Sequence, residues 1–223
     1  INAKELQAWK HEHPNADVVS YINTSAEVKA LSDYCCTSSN AVKVINNIPK
    51  DKEILFLPDL FLGSYVAEVT GRKNMYIWPG ECHVHAGIKS DDINKMLATF
   101  KTADFLVHPE CSCTSSTMYH MSKGDLVKSG YILSTEGMMK HARVSEAQQF
   151  VVATETGILY RMQNENPNKK FIPIKRDAVC KYMKKITLEK VYTSLESEIY
   201  EVKVPQDVAD KARIAIDRML AIS

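Results

Sequence analysis

The feature that most constrains the fold is an alternation along the chain. Short runs rich in β-branched and aromatic residues alternate with longer amphipathic segments. Apolar runs of about four to eight residues bounded by turn residues predict buried strands, and apolar positions three and four apart predict helices. Strands that alternate with helices are typical of parallel sheets joined by crossover helices. The sequence therefore predicts an α/β protein.

The alternation occurs twice, which predicts two similar βα units with a boundary near residue 87, although no exact repeat is present. The predicted strands are Val18–Ile22, Glu53–Leu57, Asn74–Trp78, Asp104–Val107, Tyr131–Leu133, Gln149–Ala153 and Lys170–Ile174. The predicted helices are Ala3–His11, Thr24–Tyr34, Asn40–Asn47, Asp59–Val69, Asp91–Lys101, Met138–Arg143, Ile158–Glu165 and Val208–Ala221. Thr24 and Glu27 have the spacing of a capping box. Gly71 is expected to end the helix that Asp59 caps.

Composition excludes several classes of function. Lys and Arg total 28 and Asp and Glu total 27, so the net charge of +1 provides no basic field for nucleic acid. The longest apolar runs are too short to span a bilayer, and no secretory signal precedes them. We therefore expect a cytoplasmic protein. The chain begins with Ile1, inside what looks like a helix already under way, as expected of a piece of a longer chain or of a processed N-terminus.

The six cysteines form no C-x-x-C pair. In a reducing compartment we expect no disulfide framework, which leaves buried thiols, metal ligands or catalytic thiols, with any metal ligands coming from separate loops. Cys35 and Cys36 are expected to be small buried hydrophobes. Cys111 and Cys113 could chelate zinc with His108 or His120, but a C-x-C pair is a weak signal.

Polar residues follow nearly every predicted strand. Ligands bind outside the carboxyl ends of parallel strands, where helix N-termini offer free N–H groups. Single hydroxyls at such positions are usually N-caps, but capping does not account for the imidazoles, carboxylate and phenol at the same edge. These groups are His85, His108, Glu110 and Tyr21. Together they predict a pocket for a small, multiply anionic ligand.

Six segments in order resemble the quinolinate synthase family. They are Tyr21-Ile-Asn-Thr-Ser with Cys36-Thr-Ser-Ser-Asn-Ala-Val42, Phe56-Leu-Pro-Asp59 with Gly80-Glu-Cys-His-Val-His85, His108-Pro-Glu-Cys111, Leu133-Ser-Thr-Glu-Gly137, Ala153-Thr-Glu-Thr-Gly157 and Val179-Cys-Lys-Tyr-Met-Lys184. The likeness runs from about residue 5 to 196. One such motif is weak evidence, whereas six in the same order are specific.

The resemblance implies an enzyme of de novo NAD biosynthesis, a transferase that condenses iminoaspartate with dihydroxyacetone phosphate to quinolinate. It implies a [4Fe–4S] cluster held by three cysteines, one from each of three pseudo-symmetric α/β domains with short parallel sheets, which leaves one iron open to substrate. Cys82 and Cys180 are the implied metal ligands in this sequence. The third ligand is expected from a first domain that this sequence lacks, so the chain alone is expected to hold a cluster poorly and to be inactive.

The same resemblance divides the chain and assigns its site. Residues 1–87 correspond to the family's second domain, 88–185 to its third, and 186–223 to a helical tail expected to pack against the first domain. The implied catalytic residues are Tyr21, His108 and Glu110, with Glu110 the proton carrier. The implied substrate-binding residues are Tyr21, Asn23, Ser38, His85, His108, Glu110, Ser134 and Thr135, with Thr154 a weaker candidate. The L-aspartate oxidase that supplies iminoaspartate is the implied partner.

Two alternatives use the same residues. A zinc-dependent hydrolase or lyase would use Cys82, His85, His108 and Glu110. A non-catalytic domain would bind small anions at the strand ends of a doubly wound sheet and would tolerate loss of both cysteines.

Overall fold

The computed structural model describes residues 1–123 and 130–222. Within these ranges the chain forms two parallel four-stranded sheets with helices between successive strands. The predicted α/β class and the recurrence of similar βα units are confirmed. None of the described helices is both long and apolar enough to cross a bilayer.

The first unit contains one parallel sheet and the helices that connect its strands. Its strands are β1 (Asp17–Tyr21), β2 (Tyr34–Cys36), β3 (Ile54–Leu57) and β4 (Met75–Ile77). Its helices are α1 (Ala3–Glu12), α2 (Ala26–Ala30), α3 (Ala41–Asn47) and α4 (Leu60–Thr70). The strand order is β2-β1-β3-β4. All pairings are parallel, which the intervening helices make possible.

The second unit repeats this topology, and two further helices follow it. Its strands are β5 (Asp104–Val107), β6 (Gly130–Ile132), β7 (Gln149–Ala153) and β8 (Lys170–Pro173). The remaining helices are α5 (Ser90–Thr99), α6 (Thr114–Lys123), α7 (Thr135–Val144), α8 (Ile158–Glu165), α9 (Leu188–Ser197) and α10 (Gln206–Ile222). Single 3-10 turns span His85–Gly87 and Met183–Lys185. The order β6-β5-β7-β8 matches that of the first sheet position for position.

Burial on both faces of each sheet explains why β3 is entirely apolar and why β5 is apolar apart from Asp104. Every residue of β3 and β5 is buried. A strand covered by helices on both faces does not alternate between apolar and polar residues. The strand ends are therefore where polar side chains can collect.

Local signals set several helix ends. The Asp59 side chain accepts a hydrogen bond from Leu62 N at the start of α4, and Gly71 ends that helix at a positive φ of 65°, as predicted. The predicted Thr24 capping box is wrong, because Ser25 caps α2 by accepting from Val28 N.

The largest error of the sequence analysis is the helix predicted over Thr24–Tyr34. The helix ends at Ala30, and the chain continues into β2, which pairs with β1. Asp33 marks the change, since its carboxylate accepts a hydrogen bond from Val18 N in β1. A three-residue strand shows no periodicity of its own, so tertiary pairing decides it. Helix α6 was not predicted either.

No disulfide framework was expected, and one pair of cysteines departs from the thiol, metal-ligand or catalytic roles that were considered. Cys111 and Cys113 are joined by a disulfide. The turn after β5 brings their Cα atoms to 5.1 Å, within the range that a disulfide requires. Cys35 and Cys36 are free and fully buried, as predicted.

The final helix packs on the first unit. Ala215 and Met219 of α10 form a small core with Cys35 of β2, and Arg218 donates to the Asp33 carbonyl. Helix α9 buries none of its residues. The limits 1–87, 88–185 and 186–223, and the packing of the tail on a further domain, stay predictions.

We predict that Gly80→Ala destabilises the fold. A Cβ at Gly80 would lie 2.3 Å from the Pro58 carbonyl oxygen. Leu60 N donates to the Gly80 carbonyl at 2.7 Å, so the two segments cannot separate without breaking this hydrogen bond. Overpacking of this kind costs about 1–3 kcal/mol of unfolding free energy, measurable by urea denaturation. Gly87→Ala is the matched control, because a Cβ there meets nothing within 4 Å. Equal midpoints for the two variants would contradict the prediction.

Candidate active site

The loop after β4, in the first unit, is hydrogen-bonded to loops of the second unit. Ser112 N donates to the His85 carbonyl at 3.2 Å, and Lys175 Nζ donates to the Gly87 carbonyl at 3.0 Å. The Ser112 hydroxyl donates to the Ile88 carbonyl at 2.6 Å. Residues that follow β4 are therefore fixed beside residues that follow β5 and β8. The site lies where the carboxyl edges of the two sheets meet.

Cys82, His85 and Glu110 form the centre of this site. Their ligand atoms all lie within 4.8 Å of one another. His85 Nδ1 lies 3.2 Å from Glu110 Oε2, and both side chains are about nine-tenths buried. His85 Nε2 is 2.9 Å from Thr154 Oγ1. Nδ1 of His85 and Oε1 of Glu110 are buried without a well-aligned hydrogen-bond partner among the described atoms, so the contact between the two side chains is chiefly electrostatic.

His85 and Cys82 shift each other's pKa in opposite directions. Burial alone would lower the pKa of His85, but hydrogen bonding and charge from Cys82 and Glu110 outweigh burial and raise this pKa to about 9. Burial raises the pKa of the Cys82 thiol, yet the hydrogen bond and charge of His85 bring it below its ordinary value. A thiol with thiolate character is the form that binds metals.

His108 has the opposite protonation state from His85. The two rings stack with centroids 4.6 Å apart and planes within 8°. Burial, and then the positive charge of His85, lower the pKa of His108 to about 4. Glu110 N donates to His108 Nδ1 at 3.3 Å, which places the proton of the neutral ring on Nε2. The site therefore has one charged and one neutral imidazole at pH 7.

Glu110 joins the two units through Tyr21. Burial raises the pKa of Glu110, but the contact with His85 and a hydrogen bond from Tyr21 bring it below its usual value. Burial, and then the negative charge of Glu110, raise the pKa of Tyr21, so its hydroxyl stays protonated and donates to Glu110. Ser38 is hydrogen-bonded to Tyr21. These contacts link the ends of β1 and β2 to the loop after β5.

Cys180 lies on the same side of the second sheet as Cys82. Both cysteines are partly buried, and both pack against the core cluster that contains Phe105 and Val151. The rings of His83 and Tyr182, which lie close in the chain to the two cysteines, are 5.3 Å apart in an edge contact. The loops that carry Cys82 and Cys180 are therefore neighbours.

The other predicted residues share the edge by topology. Asn23 follows β1, and Ser134 and Thr135 follow β6, where the Ser134 hydroxyl accepts from Gly137 N as the cap of α7. By contrast, direct contacts join Tyr21, Ser38, His85, His108 and Glu110. The substrate-binding roles of all these residues stay predictions.

Asp59 and Thr154 contribute more to the site than their sequence positions indicated. Asp59 was predicted only as a helix cap, but its second oxygen accepts from Cys82 N at 3.2 Å. Burial raises the pKa of Asp59 to about 6. Thr154 was a weak candidate and contacts His85 directly. The signal available in the sequence was their position one or two residues after a central strand.

A zinc site at Cys111 and Cys113 does not fit the structure. The two sulfurs are bonded to each other, so neither is a thiolate. His120 contacts the Asn94 side-chain oxygen at 2.8 Å.

Comparison with known proteins gives one consistent result. The profile of the family described as Quinolinate synthetase A protein matches residues 1–221. A quinolinate synthase of Thermus thermophilus is 51% identical over 222 residues, covering 100% of this chain and 69% of the relative. That of Pyrobaculum aerophilum is 50% identical over 219 residues, covering 98% and 70%. That of Mycobacterium leprae is 47% identical over 226 residues, covering 100% and 63%.

The opposite pKa shifts of the two histidines predict a pH dependence of stability for the metal-free chain. His108 has a folded pKa of about 4, below its unfolded value near 6.5, so its contribution to stability is lost as pH falls from about 6.5 to 4. His85 has a folded pKa of about 9, so its contribution is present below about pH 6.5 and lost as pH rises towards 9. Each shift corresponds to at most about 3 kcal/mol.

Urea unfolding between pH 4 and pH 9 measures both limbs. His108→Gln should flatten the acidic limb and leave the alkaline limb in place. An acidic limb of the same slope in this variant would show that other groups are responsible.

Proposed function

The chain belongs to the Quinolinate synthetase A family, and we propose that it takes part in forming quinolinate from iminoaspartate and dihydroxyacetone phosphate at a [4Fe–4S] cluster. The observation that carries this proposal is the contact group of buried His85 and Glu110 with partly buried Cys82 and Tyr21, beside the Cys180 loop. The reaction closes a pyridine ring with loss of phosphate and two waters. It therefore needs proton donors, proton acceptors and sites for several anionic groups.

The residues present fit a thiolate-bound cluster. Cys82 and Cys180 are free and partly exposed, on adjacent loops, and the pKa of Cys82 is lowered. Thiolates are the usual ligands of iron–sulfur clusters. The other free thiols, Cys35 and Cys36, are fully buried on β2. We assign Cys82 and Cys180 as two of three ligands and propose that the third is not one of the six cysteines of this sequence.

When bound, a cluster with three protein ligands supplies an open iron that acts as a Lewis acid on substrate oxygens. The remaining chemistry is assigned to side chains. Glu110 is ionised at pH 7 and accepts a proton at its carboxylate. Neutral His108 accepts from Glu110 N at Nδ1 and offers the N–H of Nε2 as a hydrogen-bond donor. Protonated His85 and the Tyr21 hydroxyl are donors, so both directions of proton transfer are provided within one contact network.

Anion binding is assigned to the hydroxyls at the sheet edge. Ser38, Ser134 and Thr135 follow β2 and β6, and Ser134 lies at the N-terminus of the ten-residue helix α7. Backbone N–H groups and the partial positive charge at such a terminus favour carboxylate or phosphate. Asn23 adds an amide, and the cationic His85 adds a positive charge in the centre of the site.

We predict that loss of either Cys82 or Cys180 prevents cluster assembly. The chain is reconstituted anaerobically with iron and sulfide in excess small thiol, which can supply the remaining ligand, and is then analysed for bound iron, sulfide and visible absorption. Cys82→Ala and Cys180→Ala should each retain far less iron and sulfide than the unmodified chain. Cys35→Ala removes a buried thiol elsewhere and is the matched control. Equal iron and sulfide in all four proteins would contradict the ligand assignment.

We also predict that the site prefers a dicarboxylate. Quinolinate, with two adjacent carboxylates, should bind more tightly than nicotinate, which has one, and should perturb backbone amide signals near Ser38 and Ser134 in NMR spectra. Ser38→Ala should weaken quinolinate binding by about three- to tenfold, the effect of one lost hydrogen bond. Ser64→Ala, an exposed hydroxyl on α4, is the control. Equal affinities for the two acids would exclude this substrate class.

A further inference from the structure

Each of the two cysteines assigned as ligands has its backbone amide fixed by a carboxylate. Cys82 N donates to Asp59 Oδ2 at 3.2 Å. Cys180 N donates to Glu155 Oε1 at 3.2 Å. The N–H groups of Cys82 and Cys180 stand at the start of the two cysteine-bearing turns. Each carboxylate therefore helps to hold a whole turn in position.

The two carboxylates occupy equivalent positions in the two units. Asp59 is the second residue after β3, and Glu155 is the second residue after β7. Strands β3 and β7 are both third in their sheet orders. The equivalence comes from the repeated topology, not from sequence identity, because one residue is Asp and the other Glu.

The second oxygen of each carboxylate is also used in the same way. Asp59 Oδ1 accepts from Leu62 N at 2.7 Å at the start of α4. Glu155 Oε2 accepts from Gly157 N at 2.6 Å at the start of α8. Each carboxylate therefore connects three parts of its unit: the end of a central strand, the start of the next helix and the cysteine turn.

The turns themselves continue in the same way. Ala86 N donates to the Cys82 carbonyl at 2.8 Å, and Lys184 N donates to the Cys180 carbonyl at 3.1 Å. A single 3-10 turn follows each cysteine. Helix α5 begins eight residues after Cys82, and helix α9 begins eight residues after Cys180. The backbone therefore has the same arrangement around each of the two sulfurs.

We infer that Asp59 and Glu155 are a pair of equivalent positioning residues, which fix the Cys82 and Cys180 turns so that both thiolates face one cluster. A hydrogen bond to a carboxylate is stronger than one to a neutral acceptor, so it contributes to fixing the position of each cysteine turn. Outer groups that orient metal ligands affect metal retention without touching the metal. The inference rests on the proposed function for the identity of the cluster, whereas the two hydrogen bonds can be tested without it.

The first test measures amide hydrogen exchange in the metal-free 223-residue chain by NMR. Asp59→Asn keeps an oxygen to cap α4 but turns an NH2 group towards Cys82 N, so exchange of the Cys82 amide should become about tenfold faster. The Cys180 amide should be unchanged. Glu155→Gln keeps one acceptor for two donors and should accelerate exchange at Cys180 but not at Cys82.

The matched control is Asp33→Asn. Asp33 also accepts a backbone N–H, from Val18 at 2.8 Å, but at the opposite end of the first sheet. It should leave both cysteine amides unchanged. If Asp59→Asn accelerates exchange throughout the protein, Glu155→Gln decides the question. Unchanged exchange at Cys180 in that variant overturns the inference.

The second test measures the rate at which a chelator removes iron from the anaerobically reconstituted chain. Both positioning variants should release iron about tenfold faster or more than the unmodified chain and Asp33→Asn. If the unmodified chain takes up no cluster, the proposed function fails and the exchange data alone decide the positioning role. If it takes up a cluster and all four proteins release iron at one rate, the positioning role fails and the proposed function stands.

Discussion

The contact between His85 and Glu110 is the interaction on which the site depends. It joins the loop after β4 of the first unit to the loop after β5 of the second, at 3.2 Å and almost fully out of water. Burying either charge alone would cost several kcal/mol, by order of magnitude, because a buried ion loses its hydration. The two loops are therefore stable in this arrangement only together. Cys82, Thr154 and Tyr21 all contact one member of the pair.

The same pair sets the protonation states around it. A charged His85 lowers the pKa of the stacked His108, and its contact with Glu110 keeps that carboxylate ionised. Glu110 in turn keeps the Tyr21 hydroxyl protonated. Proton donors and acceptors thus coexist within one contact network at neutral pH. This is the arrangement that an elimination and ring-closing reaction needs.

The repeated topology explains how so few residues can build such a site. Two units with identical strand order present their carboxyl edges to each other, and each contributes one cysteine turn tied to one strand-end carboxylate. Structural repetition without sequence repetition was visible only as a recurring βα pattern. The pairing of Asp59 with Cys82 crosses 23 residues, and that of Glu155 with Cys180 crosses 25. Separations of this size match no local sequence motif, so the sequence alone does not indicate either contact.

What the sequence determined by itself was the α/β class, most strands and helices, the family and the edge at which polar residues gather. These follow from local periodicity, capping residues such as Asp59, and ordered motifs. Only the tertiary structure decided that Tyr34–Cys36 is a strand and that Cys111 and Cys113 are bonded. It alone brought His85 against Glu110, because that contact depends on how the loops of two different sheets meet. Short strands, disulfides and buried ion pairs depend on partners distant in the chain, and local sequence patterns carry no information about those partners.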